Sequence, residues 1–358
     1  MKIIHTSDIH LDSRIDTLPT EKAKIRRGEI VRTFELLCEY ADKNAVDAVI
    51  IAGDAFDTSR VTAKTLGRFF HAIKECKNTE FLYLAGNHDE DTVLSAEADD
   101  FPPNFKTFGD EWKTYSFGKV KISGITLDKA NSKYVYDGLK LAADDINIVC
   151  MHGQVLGYKS DDIAETVSIP LLRGKNVDYL ALGHIHSFSA EKIDERGKYA
   201  YCGCLNGRGF DETGEKGFVL LNIEDGKLNA DFVPFCDRVF HTVEYAVDGA
   251  SDFYEFCNDI ISDLKKTCAA EDLIKVVLKG ERTPDFLVDT DALASKLNDS
   301  FFFGKVYDRT LLKVSADDYA EDKSVRGEFV RSVLASDLSE EDKTAVITKG
   351  LAALKGEL

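Results

Sequence analysis

The chain has 358 residues, enough to bury a full core and to hold more than one domain. It is 44% hydrophobic and 30% charged, the composition of an ordinary soluble protein. A formal net charge of −18 argues against a broadly basic nucleic-acid-binding surface. It does not exclude nucleic acid as a substrate, because bound divalent cations set a local positive field where a phosphate approaches.

The first strand is expected at KIIHTS, and it ends in Asp8-Ile9-His10. Lys2, His5 and Asp8 stand at the start, and no apolar stretch long enough for a signal peptide or membrane span follows, so a cytoplasmic protein is expected. A helical pattern runs through Ile30, Phe34, Leu37, Cys38 and Ala41, and a strand at VDAVIIAG ends in Asp54. A second helix carries Leu66, Phe69, Phe70 and Ile73 on one face, and the strand TEFLYLAG ends in Asn87-His88-Asp89. Strands alternating with helices predict an α/β layered domain.

Short strands are expected at Tyr115–Lys121 and around Gly124–Leu127. INIVCM then ends in His152-Gly153, and VDYLALG ends in His184-Ile185-His186. From 187 to 235 the turn dipeptides Arg196-Gly197 and Asp225-Gly226 predict hairpins. The first domain is placed at 1–237. A small α+β module follows at 238–314, with strands at Val239–Val247, Leu273–Lys279 and Phe301–Arg309 and helices at Phe253–Leu264 and Thr290–Leu297. A helical C-terminal tail, 315–358, carries apolar stripes at Arg326–Leu334 and Thr344–Leu354 and a helix start at Ser339-Glu340-Glu341-Asp342. The eight cysteines are scattered without a CxxC pair, so reduced thiols are expected.

Five apolar runs thus end on metal-ligand types, and five of the eight histidines fall there. Asp8 and His10 are two apart, as are His184 and His186, so on an extended strand each pair faces one way. Asp54 offers two oxygens that can bridge two ions. Asn87 offers a carbonyl oxygen and His152 an imidazole. Nitrogen and oxygen donors without thiolate suit Mn²⁺, Fe or Zn²⁺, and seven ligands for two ions leave positions for water and substrate. Gly53, Gly86, Gly153 and Gly183 adjoin ligands where the chain leaves a strand. His88 follows Asn87 directly and is expected to act as a general acid or electrostatic stabiliser, oriented by Asp57. His5, His71 and His241 are expected to be structural. Arg14, Arg60 and the Lys22-Ala-Lys24-Ile-Arg26-Arg27 cluster are candidate DNA contacts, although a charge run is ordinarily a solvated helix face. Acidic Asp89-Glu90-Asp91 and the run Glu97 to Asp100 would repel a polyanion.

The set Asp8-x-His10, Gly53-Asp54-x-x-Asp57, Gly86-Asn87-His88-Asp89, His152 and Gly183-His184-x-His186 resembles the calcineurin-like metallophosphoesterase superfamily. The resemblance implies a four-layer β-sandwich flanked by helices and a two-metal site bridged by Asp54. One ion would take Asp8, His10, Asp54 and His186, and the other Asp54, Asn87, His152 and His184. The chemistry implied is in-line attack of a hydroxide on phosphorus, with His88 and Asp57 serving the leaving oxygen. The serine/threonine phosphatase branch follows the second Asp with Arg-Gly and puts Glu after the catalytic His. Thr58-Ser59 and Asp89 stand here instead.

A narrower likeness, over nearly the whole chain, is to SbcD-type DNA repair exonucleases and their YhaO-like relatives. It rests on His5-Thr-Ser-Asp-Ile-His-Leu-Asp12-Ser13, on Gly207-Arg208-Gly-Phe-Asp-Glu-Thr-Gly-Glu-Lys216-Gly217-Phe218 and on short stretches of the tail. It implies a Mn²⁺-dependent exo/endonuclease acting on DNA ends beside an SMC-like ATPase, with a capping domain at 238–314, Arg208 as a substrate contact, and a homodimer as an open option. Some related nucleases carry a second histidine where this chain has Asp57. The alternative is a phosphodiesterase or phosphatase of small molecules or phosphoproteins.

Overall fold

In the computed structural model the described residues are 1–57, 61–86, 89, 101–128, 131, 134–156, 166–283, 286–313 and 319–355. The chain divides into two compact units, Met1–Phe240 and His241–Leu358.

The first unit runs β1 (Lys2–Thr6), α1 (Thr20–Lys43), β2 (Ala48–Ala52), α2 (Ala63–Glu75), β3 (Glu80–Leu84), β4 (Phe105–Thr107), β5 (Lys113–Phe117) and β6 (Val120–Gly124). It continues through β7 (Ile146–His152), β8 (Gln154–Val155), β9 (Thr166–Val167), α3 (Ile169–Leu172), β10 (Tyr179–Gly183), β11 (Ser189–Lys192), β12 (Lys198–Tyr201), β13 (Gly217–Glu224) and β14 (Lys227–Pro234). Two six-stranded sheets result, ordered β14-β13-β1-β2-β3-β4 and β11-β12-β10-β7-β6-β5. β1 to β4 are parallel, and so are β12, β10, β7 and β6. This is the expected layered α/β sandwich.

Alternation along the strands makes the layers. Ile3, Ile50, Leu82, Ile122, Ile148 and Ala181 turn inward and form the core between the sheets. Burying each large aliphatic side chain there contributes roughly 1.5–3 kcal/mol. On the outer face of the first sheet, Phe105 meets Phe69 and Phe70 of α2, and Phe218 meets Tyr40 of α1. On the outer face of the second sheet, Met151, Leu182 and Tyr201 pack with Val135, Tyr136 and Leu172, around a short 3₁₀ turn and α3.

The predicted hairpins form at β11–β12 and β13–β14. Asp225 and Gly226 both take positive φ, as a two-residue turn matched to strand twist requires. The strands expected at Tyr115–Lys121 and Gly124–Leu127 are instead β5 and β6, an antiparallel pair whose turn falls at Gly118, φ +60°. The apolar pattern marked strand there but missed the glycine as punctuation.

Strand β15 (Phe240–Ala246) leads into the second unit. There follow α4 (Phe253–Thr267), β16 (Leu273–Lys279), β17 (Glu281–Arg282), α5 (Thr290–Ser300), β18 (Phe303–Asp308), β19 (Leu311–Leu312), α6 (Val325–Leu334) and α7 (Glu340–Lys355). The sheet is ordered β15-β16-β18. Asp252 and Asp289 cap α4 and α5 by accepting from the backbone N–H three residues on. Ile274, Val276, Leu264, Leu293 and Leu297 form its core. Tyr319, Val330, Ile347 and Leu351 form a second small cluster under α6 and α7. Among the described residues no helix is long and apolar enough to cross a membrane, and all eight cysteines are unpaired.

Candidate metal centre

The two sheets bring the ends of β1, β2, β7 and β10 together. The ligand pairs do not arise by strand parity, as the sequence spacing suggested. β1 ends at Thr6 and β10 at Gly183, so Asp8, His10, His184 and His186 lie on the loops just beyond. Asp8, His10, Asp54 and His184 have φ of 50°, 51°, 51° and 97°. Side chains rarely adopt this left-handed region, and its cost of order 1–3 kcal/mol per residue is sustained by the surrounding structure. The β1 and β2 loops are zipped by the N–H groups of Asp8, His10 and Leu11, which donate to the carbonyls of Gly53, Asp54 and Ala55 at 3.0, 3.0 and 2.9 Å. Asp8 is tied to the β10 loop as well, since the His184 N–H donates to both its oxygens at 3.0 and 3.1 Å.

Two glycines set how closely these loops approach. A Cβ on Gly53, φ +91°, would lie 2.1 Å from His152 Nδ1, and one on Gly86 would lie 2.1 Å from Asp54 Oδ1. The reason for glycine beside the ligands is thus the space the ligands themselves occupy, more than the turn alone.

Six of the seven expected metal ligands are described, and they converge. Asp8, His10 and His186 form one donor group, and Asp8, Asp54 and His152 another, each with donor atoms within 4.8 Å. His10 Nε2 and His186 Nε2 are 3.1 Å apart, and His186 Nε2 is 3.7 Å from Asp8 Oδ1. His152 Nε2 lies 3.4 Å from Asp54 Oδ2, while its Nδ1 is 2.8 Å from the Ala52 carbonyl. His184 stacks edge-on to His152, ring centroids 5.5 Å apart. Asp8, Asp54, His10 and His152 are all buried, none more than 4% exposed. Burial alone would lower the His152 pKa, but the Asp54 and Asp8 carboxylates override it and push the group up to about 10. A field that holds a proton so firmly is one that a divalent cation can satisfy by displacing it. Two carboxylates buried at one place with imidazoles aimed between them fit a pair of such cations.

Around this centre lie residues that hold the donors. His10 Nδ1 is 3.1 Å from Asp57 Oδ1, and His186 Nδ1 is 2.7 Å from Glu212 Oε1. Arg208 donates to Asp57 Oδ1 at 2.9 Å and to Glu212 Oε1 at 2.8 Å. Burial would raise the Glu212 pKa, but His186 and Arg208 hold the carboxyl far below its usual range. Asp57 is likewise lowered, against burial, by His10 and Arg208. Sequence reasoning missed Glu212. Its signal was an acid four residues after Arg208 within a motif already singled out. Asp89 is also buried: its oxygens accept from the N–H groups of Ala55, Phe56 and Gly86 at 3.1, 2.8 and 3.1 Å. Burial, then the nearby Asp54, raises it to about 6.

Asn87, His88 and Arg60 lie outside the described residues, as does the acidic stretch 90–100. The pairing expected between Asp57 and His88 therefore lies outside them too; the described partners of Asp57 include His10, Arg208 and Ser13. Arg14 is exposed. Arg26 is not a DNA contact. It is fully buried, and its guanidinium donates to Asn206 Oδ1, the Gly207 carbonyl and Glu29. His5 is the structural histidine expected, buried with Nδ1 2.9 Å from the Tyr179 hydroxyl.

A two-sheet sandwich with clustered Asp and His donors on the loops beyond its strands defines a metal-dependent phosphoesterase. The chain belongs to the calcineurin-like phosphoesterase family, whose model matches residues 1–188, and the enzymes of that family are dinuclear metal hydrolases. It is similar to the uncharacterized metallophosphoesterase YhaO of Bacillus subtilis, 25% identical over 309 residues that cover 81% of this chain and 74% of that one. It is similar to the SbcD component of the nuclease SbcCD of Escherichia coli, 27% identical over 275 residues, 64% of this chain and 67% of that one. The DNA double-strand break repair protein Mre11 of Methanosarcina acetivorans is 24% identical over 329 residues, 84% of this chain, which spans 50% of that relative's length.

Proposed function

We propose that the protein is a two-metal phosphodiesterase, a Mn²⁺-dependent DNA exo/endonuclease that acts in DNA repair with an SMC-like ATPase. The observation that carries the chemistry is the pair of donor groups sharing Asp8, with Asp54 beside it. In this reading Asp54 would serve as a donor to both ions. Asp8, His10 and His186 complete one site, and Asn87, His152 and His184 the other. Bound there, the ions would supply Lewis-acid stabilisation of the phosphoryl oxygens. The chain's own residues fix the donors, and His88 gives a proton to the leaving oxygen or steadies its charge. In this reading residues 238–314 are the capping domain, and Arg14 and Arg60 meet the phosphodiester backbone.

The DNA substrate is supported by the similarity to a nuclease component and a DNA repair protein. The net charge of −18 favours the second reading, a phosphoesterase of small molecules or phosphoproteins, because it leaves polyanion binding to the ions, the cap and a partner. The experiment is a Mn²⁺ panel comparing linear single- and double-stranded DNA, an aryl phosphodiester and a phosphomonoester. Cleavage of DNA and of the diester is expected. Turnover of the small esters with no DNA cleavage, even with the ATPase added, selects the second reading.

A further inference from the structure

The two donor groups are braced differently. His152 rests its Nδ1 on a neutral backbone carbonyl, Ala52 O at 2.8 Å. His10 and His186 each rest Nδ1 on a carboxylate, Asp57 at 3.1 Å and Glu212 at 2.7 Å. Both carboxylates are then held by one guanidinium, that of Arg208. The grip on Glu212 is threefold, because the Arg208 backbone N–H donates to Oε2 at 2.7 Å while Nε and Nη2 donate to Oε1 at 3.1 and 2.8 Å. The Lys216 ammonium also fixes the loop carrying His186, by donating to its carbonyl at 2.8 Å.

The ring His10–Asp57–Arg208–Glu212–His186 closes on itself, because the two Nε2 atoms at its ends are 3.1 Å apart. That is the separation two imidazoles adopt when both aim at one small ion. A carboxylate behind an imidazole fixes its tautomer with Nε2 as the ligating atom and makes that nitrogen more basic. The rigid fork of arginine can hold two carboxylates in fixed relation, which a lysine cannot. Arg208 is only 18% exposed, and its Nε, Nη1 and Nη2 each donate to a carboxylate of this ring.

We infer that Asp57, Arg208 and Glu212 form a positioning clamp that selectively strengthens the ion held by Asp8, His10 and His186, leaving the ion at His152 independent of it. Arg208 is thereby a positioning residue and not a substrate contact. The inference rests on the two-ion reading of the site.

The test is calorimetric titration of the metal-free full-length chain with Mn²⁺, alongside its metal-free melting temperature. The wild type should bind two ions. Glu212→Gln should bind one as the wild type does and the other about 10–100-fold more weakly. Arg208→Met should weaken the same ion, and Arg208→Lys should recover part of the loss by restoring charge without the fork. Glu212→Gln and Arg208→Met should also lower the metal-free melting temperature, because each breaks a buried ion pair, so the decisive readout is which of the two ions is weakened. The clamp is overturned if Glu212→Gln and Arg208→Met bind both ions with wild-type constants. It is also overturned if they lose both ions equally. A wild-type chain that takes up no Mn²⁺ overturns the two-ion reading itself, and the clamp with it.

Discussion

The two units show opposite uses of backbone and charge. In the first, nine of the described non-glycine residues take positive φ, four of them candidate ligands, and carboxylates and imidazoles are packed together out of water. In the second, no described non-glycine residue takes positive φ, helices α4 and α5 start on Asp caps, and the core is aliphatic and aromatic. Strain and buried charge persist only where surrounding structure over-determines them. Among the described residues, the positive-φ side chains and the carboxylate–imidazole cluster fall in the first unit, which marks where the chemistry is, whereas Asp272, buried in the second unit, is paired with His241 at 3.0 Å.

That contrast can be broken by substitutions on either side. The largest effect is expected at Asp54. Asp54→Asn should lower phosphodiester hydrolysis by on the order of 10²–10³-fold or more, read as kcat/KM at saturating Mn²⁺. Leu297→Ala opens the core of the second unit and should cost about 2–5 kcal/mol of that unit's unfolding free energy in urea. It should leave hydrolysis of a small aryl diester as it was, and a matching loss of that activity would erase the contrast. Gly86→Ala places a methyl against Asp54 Oδ1. It should cost roughly 1–3 kcal/mol and weaken metal uptake together, since the methyl has only ligand atoms to displace.

Smaller effects sharpen the picture. Burial lowers the His5 pKa from 6.5 to about 3. Between those values the unfolded chain binds the extra proton, so stability should fall as pH drops from about 6.5 toward 3. His5→Gln should flatten that part of the melting-temperature profile, and an unchanged slope would show that His5 is not its source. Asp289→Ala removes the cap of α5 and should cost about 1 kcal/mol with no change in hydrolysis.

Much of the fold was legible because its strands are apolar runs of strand length and its helices carry one apolar face. β1, β2, β3, β7 and β10 all lie where those runs stand. The site was legible because ligand types recur at the ends of those runs. Its geometry was not. Period-two reasoning assumes an extended chain, whereas Asp8, His10 and His184 are left-handed and past the strands, in a conformation imposed by hydrogen bonds to Gly53, Asp54 and Asp8. Glu212 and Asp57 gained their partners through contacts 26 and 47 positions away in sequence, His186 and His10 respectively, which no local pattern carries. Arg26 misled for a related reason. A basic run on a helix reads as one exposed face, yet this member of the run is turned inward and sealed against Asn206 and Gly207.

If Asp54 stands at the junction of two cation sites, hydrolysis depends on both ions. The sharpest check is a Mn²⁺ titration of the wild type and Asp54→Asn, with bound ions counted and aryl phosphodiester hydrolysis followed in the same samples. Two ions and rising hydrolysis are expected for the wild type, and weakened uptake with hydrolysis lost for the variant. Wild-type hydrolysis in metal-free buffer, or an Asp54→Asn chain that binds two ions and turns over normally, would refute the shared-carboxylate centre.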